Sequence, residues 1–351
     1  MILAGDIGGT NARLAVFEVS EGHGLRKIVE SDYRARDYGA LAEIVTTFVT
    51  SQPLPFEHAC FGVAGPVRQG RAVIANLPWI VEARALAQLL KLPDVSVIND
   101  LEAHAYAVDA LPPGDFAVLQ PGAANAGGNA AIIAAGTGLG QAGLYWDGER
   151  HHPFAGEGGH ADFAPRNELE MELLRYLTRK FGRVSCERVV SGPGLNNVYM
   201  FLRDTGRAEE PAWLRDKLLE GADASAVIAQ AGLDGKAEIC ERALGIFVSA
   251  YGAEAGNLAL KLMATGGIFL GGGIAPKILA KLQQPTFIDA FLAKGRMQSL
   301  LETIPVRVIL NDKAGLLGAA RCAWIRATSG RQAAADSARE KRPRDLIGET
   351  P

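Results

Sequence analysis

A chain of 351 residues is long enough for two domains of ordinary size, each with its own core. With 48% apolar and 21% charged residues and a formal net charge of −3, it gives no electrostatic reason to expect nucleic acid or an anionic membrane surface as partner. The four cysteines (Cys60, Cys186, Cys240, Cys322) lie far apart without a C-x-x-C pair, which excludes a zinc ribbon and argues against a disulfide framework. The N-terminus lacks a basic region followed by an apolar stretch, and no apolar run approaches membrane-spanning length. The expectation is therefore a cytoplasmic protein.

The chain opens on Ile2-Leu3, the run Ala4-Gly5-Asp6-Ile7-Gly8-Gly9-Thr10-Asn11-Ala12-Arg13, and a second apolar stretch, Leu14–Phe17. That reads as strand, tight Gly turn, strand. Gly8 and Gly9 allow backbone N–H groups to approach an anion, Thr10 and Asn11 add neutral donors, and Asp6 can hold Mg²⁺ through water. No Gly-Lys-Ser/Thr follows, so this is not a Walker loop. A strand rather than a helix comes next, so it is not a dinucleotide fingerprint either.

Further strands are expected at Lys27–Tyr33, Ala59–Ala64, Arg71–Ala75 and Val95–Ile98, with helices at Leu41–Val49, Glu82–Leu92 and Leu101–Val108. The order describes an α/β domain whose mixed sheet begins with its antiparallel part. Leu111-Pro112-Pro113-Gly114 marks the expected boundary, giving a small domain over 1–110 and a large one over 111–305. The second half then opens as the first did. Strand Ala130–Ala135 runs into Gly136-Thr137-Gly138-Leu139-Gly140 and returns as Gln141–Trp146, which reads as a weak internal duplication. Gly138-x-Gly140-x-x-Gly143 matches the dinucleotide expression, but Leu144-Tyr145-Trp146 before Asp147-Gly148 reads as a strand entering a hairpin.

Helices are expected at Glu168–Phe181, Gly194–Leu202 and Lys236–Met263, the last carrying Gly245, Gly252 and Gly256 for close packing. Strand Gly267–Leu270 leads into Gly271-Gly272-Gly273 and a helix from about Pro276, a placement suited to a phosphate or nucleoside. A last strand, Val306–Leu310, and a last helix, Ala314–Ile325, follow. The residues from 327 to 351 read as a disordered tail.

Three Gly-centred turns after apolar strands argue together for a phosphate-rich ligand held by backbone amides. A kinase also needs a base near the acceptor hydroxyl. Asp100, past the end of a buried strand, is the candidate; its rival role is as N-cap of the helix from Leu101, which would leave Asn99 unexplained. Gly156-Glu157-Gly158-Gly159-His160 offers a carboxylate and an imidazole among glycines. Its alternatives are contacts to a polyhydroxylated ligand, a metal site helped by His151 and His152, or a turn without function. Glu187 alone reads as a first-turn carboxylate favoured by a helix dipole.

Together these residues resemble the bacterial ATP-dependent glucokinases, of the type common in proteobacteria, within the hexokinase/actin-like superfamily. The similarity runs to about Ile325 and covers Gly5–Leu14, Ala64-Gly65-Pro66-Val67, Asn76-Leu77-Pro78-Trp79 and Ile98-Asn99-Asp100. It continues through Gly136–Gly140, Gly156–His160, Ser191–Leu195, Gly271–Ile274 and Gly315–Gly318. The resemblance implies two actin-like (ribonuclease H-like) ATPase domains around a central cleft, with the C-terminal segment of about 306–325 returning to complete the small N-terminal one. It implies glucose held by Asn99, Asp100, Glu157, His160 and Glu187, with Asp100 as base. ATP phosphates would meet Gly5, Asp6, Ile7, Gly8, Gly9 and Thr10 together with Thr137 and Gly138, and the nucleoside would lie near Gly271, Gly272 and Gly273. A homodimer is also implied. The clustered cysteines of the related repressor/kinase family are missing, and Ala75 stands where Thr often precedes Asn76.

The expected reaction is ATP-dependent, Mg²⁺-dependent phosphorylation of the glucose 6-hydroxyl. Mannose or fructose as acceptor remains an alternative, and so does a sugar sensor without turnover. A sensor would need a DNA-binding element. The chain as given starts directly at the phosphate hairpin, and its Arg-rich tail is too short and too poor in apolar residues to supply one.

Overall fold

The computed structural model describes residues 1–20, 24–74, 77–221 and 223–340, so Ala75, Asn76 and the stretch 341–351 lie outside the described residues. The chain divides into two units, Met1–Ala103 with the segment from Leu316 onward, and His104–Gly315.

In the first unit, β1 (Ile2–Ile7), β2 (Asn11–Val19), β3 (Leu25–Arg34) and β4 (His58–Val63) precede three short strands, β5 (Val67–Arg68), β6 (Arg71–Val73) and β7 (Ile80–Glu82). Strand β8 (Ser96–Asn99) completes a five-stranded sheet ordered β3-β2-β1-β4-β8, while β5, β6 and β7 form a separate small sheet. β1 runs antiparallel to β2 and parallel to β4, and β4 runs parallel to β8. The alternation along β4 shows how the sheet is covered. Phe61 and Val63 join the core with Leu3, Ile7 and the Ile44, Val45 and Phe48 stripe of α1 (Leu41–Ser51), whereas Gly62 faces Ala103. Helices α2 (Ala83–Leu90) and α3 (Asp100–Ala107) follow β7 and β8, and the division between the units falls inside α3.

The second unit repeats the plan. Strands β9 (Phe116–Gln120), β10 (Ala130–Ala135), β11 (Leu139–Trp146), β12 (His151–Gly156), β13 (Gly267–Gly271) and β14 (Val306–Ile309) form a sheet ordered β12-β11-β10-β13-β14-β9. β10, β11 and β12 are antiparallel, whereas β10, β13 and β14 are parallel, matching β1-β2-β3 and β1-β4-β8 in turn. The duplication expected from the two Gly turns is therefore one of whole sheets, the arrangement of actin-like ATPase domains. The hairpin after Gly138 is a strand, so the helix that a dinucleotide fingerprint requires is not there.

Helices α4 (Glu168–Phe181), α5 (Gly192–Asp204), α6 (Ala212–Leu219), α7 (Ala224–Leu233) and α8 (Glu238–Leu262) lie between β12 and β13. Then come α9 (Leu279–Leu282), α10 (Pro285–Leu292), α11 (Gln298–Glu302) and finally α12 (Ala314–Glu340), which rejoins the first unit from Leu316. There the Cys322 thiol of α12 is a hydrogen-bond neighbour of buried Cys60 on β4, and burial pushes the Cys60 thiol well up.

Four expectations change. The first division comes after Ala103, not at 110, and Val306–Ile309 belongs to the second unit's sheet. The last helix continues to Glu340, past the expected start of the tail at 327. After β13 the chain makes turns, with Gly272 at φ +79° and Lys277 N–H donating to Ile274 O, and turns helical only at Leu279. No helix N-terminus therefore follows the three glycines directly. Last, α8 is long and apolar enough to cross a membrane by length and composition, yet 72% of its apolar window is buried inside the fold.

α8 packs on α10 at Gly252 and Gly256. A Cβ at Gly252 would stand 2.1 Å from Phe287 O, and one at Gly256 2.6 Å from Phe291 O, whereas one at Gly245 meets nothing within 4 Å. Backbone cannot yield as a flexible side chain can. Gly252→Ala is expected to lower stability by about 1–3 kcal/mol in a denaturant titration. Gly245→Ala on the same helix should hold or gain up to about 1 kcal/mol; equal effects would mean the crossing does not depend on bare backbone.

Candidate active site

In the first unit the parallel strands end together. Asp6 pairs with Gly62, Ile7 with Val63, and Val63 with Asn99, which brings Asp6, the Gly8–Thr10 turn, Gly65, Asn99 and Asp100 to one edge of the sheet. Open α/β sheets present functional groups at this edge. Gly5 and Ile7 are buried inside β1, Gly8 and Gly9 are half-buried, and Thr10 is exposed. The Gly8 N–H donates to Asn11 O (2.9 Å) and closes the hairpin, so that amide is spent within the turn.

Asn99 and Asp100 divide the work that the sequence left open between them. Asn99 Oδ1 accepts from Leu101 N–H (3.0 Å) and Glu102 N–H (3.4 Å), while its Nδ2 donates to Gly65 O (3.1 Å). That is an N-cap geometry. Asp100 is the first residue of α3, half-buried, and its Oδ1 accepts from Leu101 N–H at 2.8 Å. The helix N-terminus is a favourable place for a negative charge.

In the second unit the segments singled out by sequence converge. Glu187 is half-buried, and its Oε2 accepts from Leu139 N–H (2.9 Å). Gly138 lies so close that a Cβ there would come within 2.5 Å of the same oxygen. Ser191 caps α5, accepting from Gly194 N–H (3.0 Å) and donating to Glu187 O (2.7 Å). The Gly192 N–H donates to Gly136 O (2.8 Å), and Ile274 N–H reaches Ala135 O (3.3 Å). The Thr137-Gly138 turn, the Gly271–Gly273 turn and the start of α5 are therefore neighbours.

The 157–160 segment is laced to the same place. Cys186 N–H donates to Ala161 O (2.8 Å), Phe163 N–H to Val184 O (3.0 Å), and Arg183 Nε to Asp162 Oδ1 (2.8 Å). Glu157 and His160 are exposed. The rival metal reading finds little to use. His151 Nδ1 bonds Asp109 Oδ1 (2.8 Å) and His152 Nε2 bonds Asp147 Oδ2 (2.5 Å). Among the described residues no group of three or more His, Cys, Asp or Glu is placed to hold a metal.

Sequence reasoning missed the start of α5 as a neighbour of the Gly136 turn, and it missed the buried pair Gln141 and Glu254. A lone polar residue within an apolar strand or helix was the signal available for each. Because Asn99 supplies the cap, Asn99→Ala is expected to cost about 1 kcal/mol of stability. Asp100→Ala should cost clearly less in the same denaturant titration; the reverse order would return the capping role to Asp100.

A family model described as Glucokinase matches residues 3–325. A glucokinase from Nostoc sp. is 45% identical over 337 residues, spanning 92% of this chain and 98% of its own. The crystal structure of a glucokinase from an Antarctic psychrotroph superposes with a TM-score of 0.80 at 31% identity, covering 92% of this chain and 98% of that one. A ROK family glucokinase from Streptomyces griseus, solved with glucose and AMPPNP, shares the fold at a TM-score of 0.58 and 22% identity, covering 92% of this chain and 98% of its own. With strand ends, Gly turns and Glu187 placed as described, and the family match running over nearly the whole length, the chain belongs to the glucokinase family.

Proposed function

We propose that this protein transfers the γ-phosphoryl group of ATP to the 6-hydroxyl of D-glucose, giving ADP and glucose 6-phosphate. Asn99, Asp100, Glu157, His160 and Glu187 are the sugar ligands in this reading. The Gly8–Thr10 turn and Thr137-Gly138 meet the phosphates, and Gly271–Gly273 the nucleoside. Family membership supports the reaction class, and the AMPPNP in the Streptomyces griseus protein supports the nucleotide. Phosphoryl transfer of this kind depends on positioning and charge stabilisation more than on covalent chemistry.

Asp100 is the general base that takes the proton of the 6-hydroxyl. The observation that carries this role is the division of labour at α3. Asn99 accepts from both Leu101 N–H and Glu102 N–H, while Asp100 stands half-buried at the first position of α3, past the end of β8. Asp6 is the residue that would hold Mg²⁺ through water. Mg²⁺ usually keeps several waters and takes one or two carboxylates plus substrate phosphates, and one carboxylate beside a Gly turn fits that donor set. When bound, the ion would offset charge on the phosphate oxygens.

Asp100→Asn tests the assignment, because Asn keeps the size of Asp and its hydrogen-bonding ability. Turnover is expected to fall by about 10²-fold or more with Tm unchanged and glucose affinity only modestly weaker. A well-folded Asp100→Asn protein with normal kcat would remove Asp100 from the chemistry. Glucose binding without ADP release at millimolar glucose and ATP would instead favour the sugar sensor.

A further inference from the structure

Gln141 and Glu254 are among the few buried polar side chains, at 4% and 5% exposed, and no role above uses them. Gln141 sits on β11 directly beneath the 157–160 turn, and Glu254 on the apolar, buried part of α8. Gln141 Nε2 donates to Glu254 Oε1 (2.8 Å), and Asn257 Nδ2 donates to Glu254 Oε2 (2.9 Å). Lys294 Nζ donates in turn to Asn257 Oδ1 (2.6 Å) and Ala253 O (2.9 Å). Both carboxylate oxygens are thus satisfied inside the core. An apolar pair of similar volume would pack there as well or better, so packing alone gives no reason for these side chains.

Their other contacts lead to the sugar ligands. With Nε2 turned to Glu254, the Gln141 Oε1 faces the turn, so close that a Cβ on Gly158 would lie 2.0 Å from it. Gln141 is also the residue paired across the strands with Gly156. Burial, and then the nearby Glu254 carboxylate, push the Cys186 thiol up to about 12, and its Sγ–H points to Asp162 O (3.5 Å). The thiol therefore stays protonated and donates. Cys186 immediately precedes Glu187. One buried carboxylate therefore reaches the Glu157–His160 turn through Gln141 and lines the same small cavity as Cys186, the residue before Glu187.

We propose that Glu254, acting with Gln141, is a positioning residue for hexose binding: it fixes the Glu157–His160 turn relative to Glu187 without touching the sugar. The inference rests on the reading of Glu157, His160 and Glu187 as sugar ligands. A ligand set held by two turns loses affinity when the turns shift by fractions of an ångström, because each hydrogen bond to a hydroxyl is directional. Nucleotide contacts at the Gly8–Thr10 turn do not depend on this network.

The test is steady-state kinetics of Glu254→Gln and Gln141→Met, with glucose and ATP varied separately. Glu254→Gln keeps the volume but turns an accepting oxygen into a donor facing another donor. Gln141→Met keeps the length and removes the amide. Both are expected to raise KM for glucose roughly tenfold or more, the scale of one buried hydrogen bond lost, with KM for ATP within about twofold. An unchanged glucose KM in a folded variant, an equal rise in both KM values, or failure of both variants to fold would each overturn the proposal. Glu157→Gln is run beside them. If it too leaves the glucose KM unchanged, the sugar-site reading has failed and the inference falls with it; if it raises KM and the other two do not, only the inference has failed.

Discussion

The hydrogen bond from Leu139 N–H to Glu187 Oε2 is the interaction on which the functional arrangement of the second unit depends. It ties the Glu187 carboxylate, in the short helical turn Cys186–Arg188 before α5, to the Gly turn between β10 and β11, and so joins the proposed sugar and phosphate contacts. Gly138 is bare because the carboxylate occupies the space a Cβ would need. Ser191 fixes the same carboxylate's backbone while capping α5, and Gly192 returns a hydrogen bond to Gly136. Two stretches far apart in sequence, 136–139 and 187–194, are thus joined by backbone amides and the side chains of Glu187 and Ser191.

The first unit solves the same problem with different groups. Its Gly turn is closed by Gly8 N–H, and the strand ends are tied by Asn99 to Gly65. Here Asn99 accepts from Leu101 and Glu102 N–H at the start of the helix, and Asp100, the proposed base, stands at its first position. The duplicated sheet order supplies each unit with a hairpin turn and a set of parallel strand ends.

Much of this was legible from the residues. Ala130–Ala135 is an unbroken apolar run and reads directly as a buried strand, and Glu168–Phe181 has a helical stripe and an Asn cap. His151–Gly156 does not read as a strand, because histidines and Pro153 hide it; the proline is tolerated since β12 is an edge. The helix expected from Pro276 fails because Gly272 takes a left-handed turn and the chain needs several residues to recover helical bonding. The Gln141–Glu254 contact joins residues 113 apart, and no local pattern announces such a pair. What periodicity and turn chemistry express is local, and what the ligand-holding turns rest upon is not.

In the proposed function, the two Gly turns and the carboxylates Asp100 and Glu187 serve phosphoryl transfer to one hexose. The most direct measurement is kcat/KM for ADP release over a panel of glucose, mannose, fructose and no sugar, with ATP saturating. Strict dependence on sugar is expected, with the highest value for glucose. A sugar-independent rate, or no turnover at millimolar glucose and ATP, would contradict it.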